Sequence, residues 1–146
     1  MIVLDTSIFV DYLFEKNEKR KEIARKMLGQ LEGKEVAVPK VFLIELISIG
    51  RRLGFKIKKE DVLEFYSELT FVGEEEIIEI LFDVAETVHP RAIDAYFIAT
   101  AKLTNSILIT NDRIMAENAK KYGIEAYYLF DEFDKAIERI SGFKSL

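Results

Sequence analysis

Four acidic residues stand where chemistry could use them: Asp5 directly after the run MIVL, Glu45 inside VFLIELISI, Asp94 inside RAIDAYFIATA, and Asp112 after ILIT and Asn111. Competing reagents are scarce. The 146-residue chain has no cysteine, which excludes disulfides, thiolate metal sites and thiol nucleophiles. It has one histidine, His89, which excludes cleavage by a histidine pair and leaves a serine triad only that ring to use. Carboxylates are the catalytic groups that remain.

Seven of the nine residues from Val41 to Ile49 are apolar, which places Glu45 on a largely buried helix. An ionised carboxylate there is costly unless a cation or strong donors compensate it, and pairing with Arg51 or Arg52 is the structural alternative. Asp94 sits among Ile93, Phe97, Ile98 and several alanines, in the first turn of its expected helix. The helix dipole returns only about 0.3–1 kcal/mol, against several kcal/mol of desolvation. Asp5, with Thr6 and Ser7 behind it, and Asp112 could equally cap helices, because Asp, Thr and Ser are preferred caps. In combination the four acids point to one acidic pocket. Crowded carboxylates repel each other, and without His or Cys the natural remedy is a hard cation such as Mg²⁺ or Mn²⁺. Such ions suit phosphate chemistry, because they activate water and offset charge on a leaving oxygen.

The elements that must position these acids alternate. Short β-branched or aromatic runs predict strands at Ile2–Leu4, Val36–Val38, Thr70–Val72, Ile107–Ile109 and Ala126–Leu129. Helical spacing predicts helices at Ser7–Phe14, Glu18–Leu31, Val41–Leu53, Lys59–Glu68, Glu74–Thr87, Arg91–Leu103, Arg113–Tyr122 and Asp131–Ile140. Alternating strands and helices imply an α/β fold with a parallel sheet, whose ligands gather beyond the carboxyl ends of the strands. With no Gly/Ser-rich linker and no repeat, residues 1–146 read as a single domain. A net charge of −5 argues against holding nucleic acid by bulk positive charge, so any such site must be local. The first residues lack a basic leader, and no apolar run reaches the roughly 18 residues of a membrane span, so a soluble cytoplasmic protein is expected.

Asp5-Thr6-Ser7 after the first strand, Glu45 in an apolar helix, Asp94 in DAYFIATA and Thr110-Asn111-Asp112 after a strand together resemble the PIN-domain nucleases, most closely the VapC-type toxin ribonucleases. The resemblance runs from Met1 to about Leu129. It implies a three-layer α/β/α sandwich with parallel strand order 3-2-1-4-5, and an Mg²⁺- or Mn²⁺-dependent endoribonuclease leaving a 5′-phosphate and a 3′-hydroxyl. By that analogy Asp5, Glu45, Asp94 and Asp112 are the catalytic metal ligands, while the Thr6, Ser7 and Thr110 hydroxyls orient carboxylates or water. It also implies a homodimer inhibited by a small VapB-type antitoxin. Lys40, Arg51, Arg52 and Arg91, near the acids in sequence, are the candidate RNA phosphate contacts, though each could equally be a solvated or paired charge. Two departures stand out: Met115 replaces the aromatic residue usual three positions after Asp112, and Asp61–His89 gives no firm alignment. A PIN nuclease of RNA processing or quality control, or a catalytically idle PIN binding module, are the alternatives. A haloacid-dehalogenase phosphatase needs a second aspartate where Ser7 stands, and a phosphorylatable receiver domain needs an acidic pair and a phosphoacceptor that the chain lacks.

Overall fold

The computed structural model describes residues 1–65 and 69–144. Among the described residues, five strands form one sheet: β1 (Ile2–Leu4), β2 (Val36–Pro39), β3 (Thr70–Val72), β4 (Ile107–Thr110) and β5 (Ala126–Tyr128). The order is β3-β2-β1-β4-β5 and every pairing is parallel. The residues of β1, β2 and β4 are buried throughout, as both-face coverage by helices demands of near-continuous apolar strands.

Among the described residues the helices are α1 (Thr6–Leu13), α2 (Glu18–Gln30), α3 (Val41–Arg52), α4 (Lys59–Phe65), α5 (Glu74–Thr87), α6 (Ala92–Thr104), α7 (Arg113–Lys121) and α8 (Leu129–Ser141). The expected elements recur with end shifts of one or two residues. Residues 66–68 of the expected fourth helix lie outside the described residues. α6 packs on β1, β2 and β4 with α5 against it, α1 packs on β4, and α7 and α8 cover β4 and β5. The core joins Val3, Leu4, Ile8, Phe9, Phe42, Leu46, Phe97, Ile98, Leu108 and Ile109. Met115 is fully buried within it, so the missing aromatic is replaced by a flexible apolar filler.

α3 differs from expectation. It buries only Phe42, Leu46 and Gly50, and Ile44 is 68% exposed. Glu45 is therefore half-buried at a cleft, not enclosed in a core. Gly50 marks a close approach, because a Cβ there would meet Phe14 and Ile57 at under 3.0 Å. Among the described residues no helix is long and apolar enough to cross a membrane.

Candidate active site

The right-handed β–α connections of a parallel sheet bring each strand's carboxyl end to the start of a helix. β1 delivers Asp5 to the start of α1, and β4 delivers Asn111 and Asp112 to the start of α7. Glu45 comes from the second turn of α3 and Asp94 from the first turn of α6. All four acids line one cleft of about 770 Å³, together with Thr6, Ser7, Arg52 and Arg91.

Asp5 stands at the N-cap of α1, but its side chain makes no capping hydrogen bond. It is 7% exposed, and its Oδ2 accepts hydrogen bonds from Ser7 Oγ and Thr110 Oγ1, both at 2.7 Å. The same two hydroxyls accept from the next loop: Asn111 N donates to Ser7 Oγ at 2.9 Å and Asp112 N donates to Thr110 Oγ1 at 2.9 Å. Asp5 Oδ1 receives no hydrogen bond among the described residues. Burial pushes the Asp5 carboxyl up to about 6, with Glu45 and Asp94 adding to the rise and the Ser7 and Thr110 bonds opposing it.

Glu45 also has a raised pKa, chiefly from burial and then from Asp94. Thr6 lies near enough to favour its ionised form, yet the pair misses hydrogen-bond geometry, and Thr6 Oγ1 and Glu45 Oε1 are both buried without a partner. Among the described residues neither Arg51 nor Arg52 forms an ion pair with it, though Arg91 and Arg52 favour its ionised form from a distance. A buried carboxylate oxygen without a donor is costly and calls for a cation.

Asp94 is 6% exposed and its pKa is raised by burial, against the opposing pull of Arg91. Asp112 does cap its helix: Oδ1 accepts from Ile114 N at 2.9 Å and Met115 N at 3.3 Å. Arg91 joins the two acids. Its Nε donates to Asp94 Oδ2 at 3.1 Å and its Nη2 to Asp112 Oδ2 at 2.7 Å.

Of the four candidate phosphate contacts, Arg52 and Arg91 line the cleft, whereas Lys40 and Arg51 do not. Arg51 Nε instead donates to Ile57 O at 3.0 Å. His89 forms the turn after α5 at φ 60°, with Nε2 2.9 Å from Glu86 O, away from the acids. The cleft also holds Asp11, Glu15, Arg20, Asn111 and Arg113, which sequence reasoning did not nominate. Asp11 is 3% exposed and holds Arg20 Nη2 at 3.1 Å and Asn111 Nδ2 at 2.7 Å. Its signal was the one used for Glu45, a carboxylate inside an apolar helix.

The site is an all-oxygen donor set with no nitrogen or sulfur ligand, the chemistry of a hard divalent cation. As the side chains stand, no three acidic or histidine groups among the described residues converge closely enough to cage an ion. Arg91 occupies the space between two of them. The free Asp5 Oδ1 and the unpartnered Glu45 Oε1 nevertheless fit a cation.

The PIN domain family profile matches residues 2–121. The chain belongs to the PIN domain family. An uncharacterised KH and PIN-domain containing protein of Methanocaldococcus jannaschii is 34% identical over 110 residues, covering 69% of this chain and 16% of that protein. The PIN domain thus matches a small part of its curated relative. The same fold is found in FitAcB from Neisseria gonorrhoeae, with a TM-score of 0.64, 22% identity, and coverage of 87% of this chain and 96% of that one. A toxin–antitoxin complex from Klebsiella pneumoniae has a TM-score of 0.59 and 20% identity, covering 77% of this chain and 87% of that one. A Pyrobaculum aerophilum protein has a TM-score of 0.60 and 15% identity, covering 97% of this chain and 90% of that one.

Proposed function

We propose that this PIN domain is an Mg²⁺- or Mn²⁺-dependent endoribonuclease that hydrolyses RNA phosphodiester bonds, and that it is the toxin of a VapBC-type pair. The observation that carries the reading is the gathering of Asp5, Glu45, Asp94 and Asp112 in one cleft at the carboxyl edge of the sheet. Residues 1–146 work as one domain.

Asp5, Glu45, Asp94 and Asp112 would hold the ion or ions. When bound, a divalent cation lowers the pKa of a water and offsets charge on the phosphate and leaving oxygen. The chain's own residues set the geometry. Ser7 and Thr110 fix Asp5 by its Oδ2 and leave Oδ1 without a hydrogen bond among the described residues. The caps of Asp112 fix that carboxylate by Oδ1 and leave Oδ2 for the site. Arg52 and Arg91, on the cleft wall, are placed to meet RNA phosphates. Water adds to phosphorus, the 3′-oxygen leaves with a proton, and the products carry a 5′-phosphate and a 3′-hydroxyl.

The toxin reading draws support from the family and from fold relatives that include a toxin–antitoxin complex. A small VapB-type antitoxin is the proposed partner, and the cytoplasm the proposed compartment. Exposed Ile44, Leu53 and Phe55 on and after α3 supply apolar surface for a homodimer. A PIN nuclease of RNA processing is favoured by one observation: the Methanocaldococcus jannaschii relative also carries a KH domain, a module that clamps single-stranded nucleic acid.

The test is cleavage of a panel of structured RNAs by the purified chain with Mn²⁺ or Mg²⁺, alongside EDTA and Asp5→Asn. Cutting that vanishes in both controls is expected. Cutting that persists in either would remove the acid site from the reaction. A small DNA-binding protein encoded beside this chain favours the toxin, and its absence favours RNA processing.

A further inference from the structure

Arg91 stands at the N-cap of α6, with its side chain 64% exposed and therefore free to leave. Its guanidinium nonetheless spans the two acids on the α6 and α7 side of the cleft. Nη2 is 3.0 Å from Asp94 Oδ2 and 2.7 Å from Asp112 Oδ2, and Nε adds a second bond to Asp94 Oδ2 at 3.1 Å. The choice of oxygens matters. Asp112 Oδ1 is committed to the backbone of α7, so Oδ2 is the one oxygen it can offer a ligand, and Arg91 holds that oxygen. On the other side of the cleft, neither Asp5 nor Glu45 forms an ion pair among the described residues, and Glu45 Oε1 is buried there without a hydrogen-bond partner. One half of the pocket holds a guanidinium between its acids and the other half does not.

We propose that Arg91 is the exchangeable counter-ion of this pocket: it holds Asp94 and Asp112 together in the ion-free protein and must give up Asp112 Oδ2 when a divalent cation enters. This rests on the metal-dependent reading above. A guanidinium and a hard cation compete for one carboxylate oxygen, because the guanidinium already takes one of its lone-pair directions and the two positive charges repel across so short a distance. Arg91 is thus a positioning residue. It keeps two like-charged acids a short distance apart before the ion arrives, and its release puts a free guanidinium at the cleft wall, where a phosphate can take the place of the carboxylates.

The experiment is Mn²⁺ titration of the full chain by calorimetry, with wild type, Arg91→Ala, Arg91→Lys and Arg113→Ala, and with thermal unfolding of each protein in EDTA and in saturating Mn²⁺. Arg113 lines the same cleft but pairs with Asp131 at 3.2 Å, so Arg113→Ala reports the general effect of removing one nearby positive charge. Exchange predicts that Arg91→Ala binds Mn²⁺ about tenfold tighter than wild type, within the usual range for coupled sites. Arg91→Lys should fall between them and Arg113→Ala within about twofold of wild type. It further predicts that Arg91→Ala unfolds at lower temperature than wild type in EDTA and that the gap closes in Mn²⁺. Wild-type binding with unchanged or weaker affinity in Arg91→Ala would overturn the exchange, as would equal tightening in Arg91→Ala and Arg113→Ala, while leaving the metal site standing. Absence of Mn²⁺ binding in every protein would overturn the metal-dependent reading and the exchange together. Should Arg91→Ala fail to fold, Arg91→Lys carries the same test: tighter Mn²⁺ binding supports exchange and weaker binding contradicts it.

Discussion

Thr110 Oγ1 donates a 2.7 Å hydrogen bond to Asp5 Oδ2, tying the end of β4 to the end of β1 across 105 residues of sequence. The same hydroxyl accepts from the Asp112 amide, so one buried threonine sets the position of two of the four acids. Ser7 makes the matching link, accepting from the Asn111 amide while donating to Asp5. The acid site is therefore a product of the β1–β4 register: Leu4 opposite Ile109 brings the two β–α junctions side by side.

Thr110→Val keeps the shape of the side chain and deletes both bonds. The Asp112 amide then loses its acceptor, which is expected to cost about 1–3 kcal/mol in chemical denaturation. Asp5 also loses a donor that favours its ionised form, so the pH below which divalent-ion affinity is lost should move upward from about 6.

The ion-free pocket is strained by its own charge. The Asp5 carboxyl rises on folding from 3.8 to about 6, so the folded chain binds more protons than the unfolded chain across that window. Stability in EDTA therefore falls as pH rises from about 4 to about 6, and the full cost of ionised Asp5, about 3 kcal/mol, is felt above it. Asp5→Asn can still accept the Ser7 and Thr110 bonds through its carbonyl oxygen. Its unfolding free energy in EDTA should exceed wild type by about 1–3 kcal/mol at pH 7.5 and match it below pH 4. Unfolding of Asp5→Asn at neutral pH would instead make Asp5 a structural acid.

Most of the frame was legible in the sequence, because short β-branched runs alternate with helical periods that Gly54, Pro90 and Gly123 punctuate. The site was legible only where the signal was local. Asp5 and Asp112 follow strands, and Asp94 lies in an apolar first turn, so their cleft could be read from topology. Asp11 carries the same mark as Glu45, yet its partners Arg20 and Asn111 reveal a structural pairing that reaches 100 residues along the chain. No local pattern encodes that contact. Arg51 and Arg52 could have been separated. At about 100° per residue, seven residues bring Arg52 back to the face of Glu45, while six carry Arg51 well off it.

Asp11 and Glu45 make opposite predictions. Asp11→Ala strands Asn111 Nδ2 and leaves Arg20 with the looser Glu15 contact at 3.6 Å, and is expected to destabilise the fold by about 1–3 kcal/mol, with Mn²⁺ affinity within about twofold of wild type. Glu45→Gln keeps the size of the side chain and removes a charge whose Oε1 has no donor. It should leave thermal stability in EDTA equal or higher and weaken Mn²⁺ binding about tenfold or more. Unchanged affinity in Glu45→Gln, measured by calorimetry, would take Glu45 out of the ion's ligands.

Asp94→Asn leaves Arg91 with Asp112 as its one full carboxylate partner. RNA cleavage under Mn²⁺ is expected to fall by about 10²-fold or more while circular dichroism stays that of the wild type. Retained cleavage would assign Asp94 to the pairing of Arg91 alone.

The most direct test is diffraction at the manganese edge from crystals of the full chain grown with Mn²⁺. The account predicts an anomalous peak in the cleft, about 2.1 Å from oxygens of Asp5 and Asp94 and held further by Glu45 or Asp112, with Arg91 swung off Asp112. No peak at saturating Mn²⁺, or a peak outside the four acids, would contradict it.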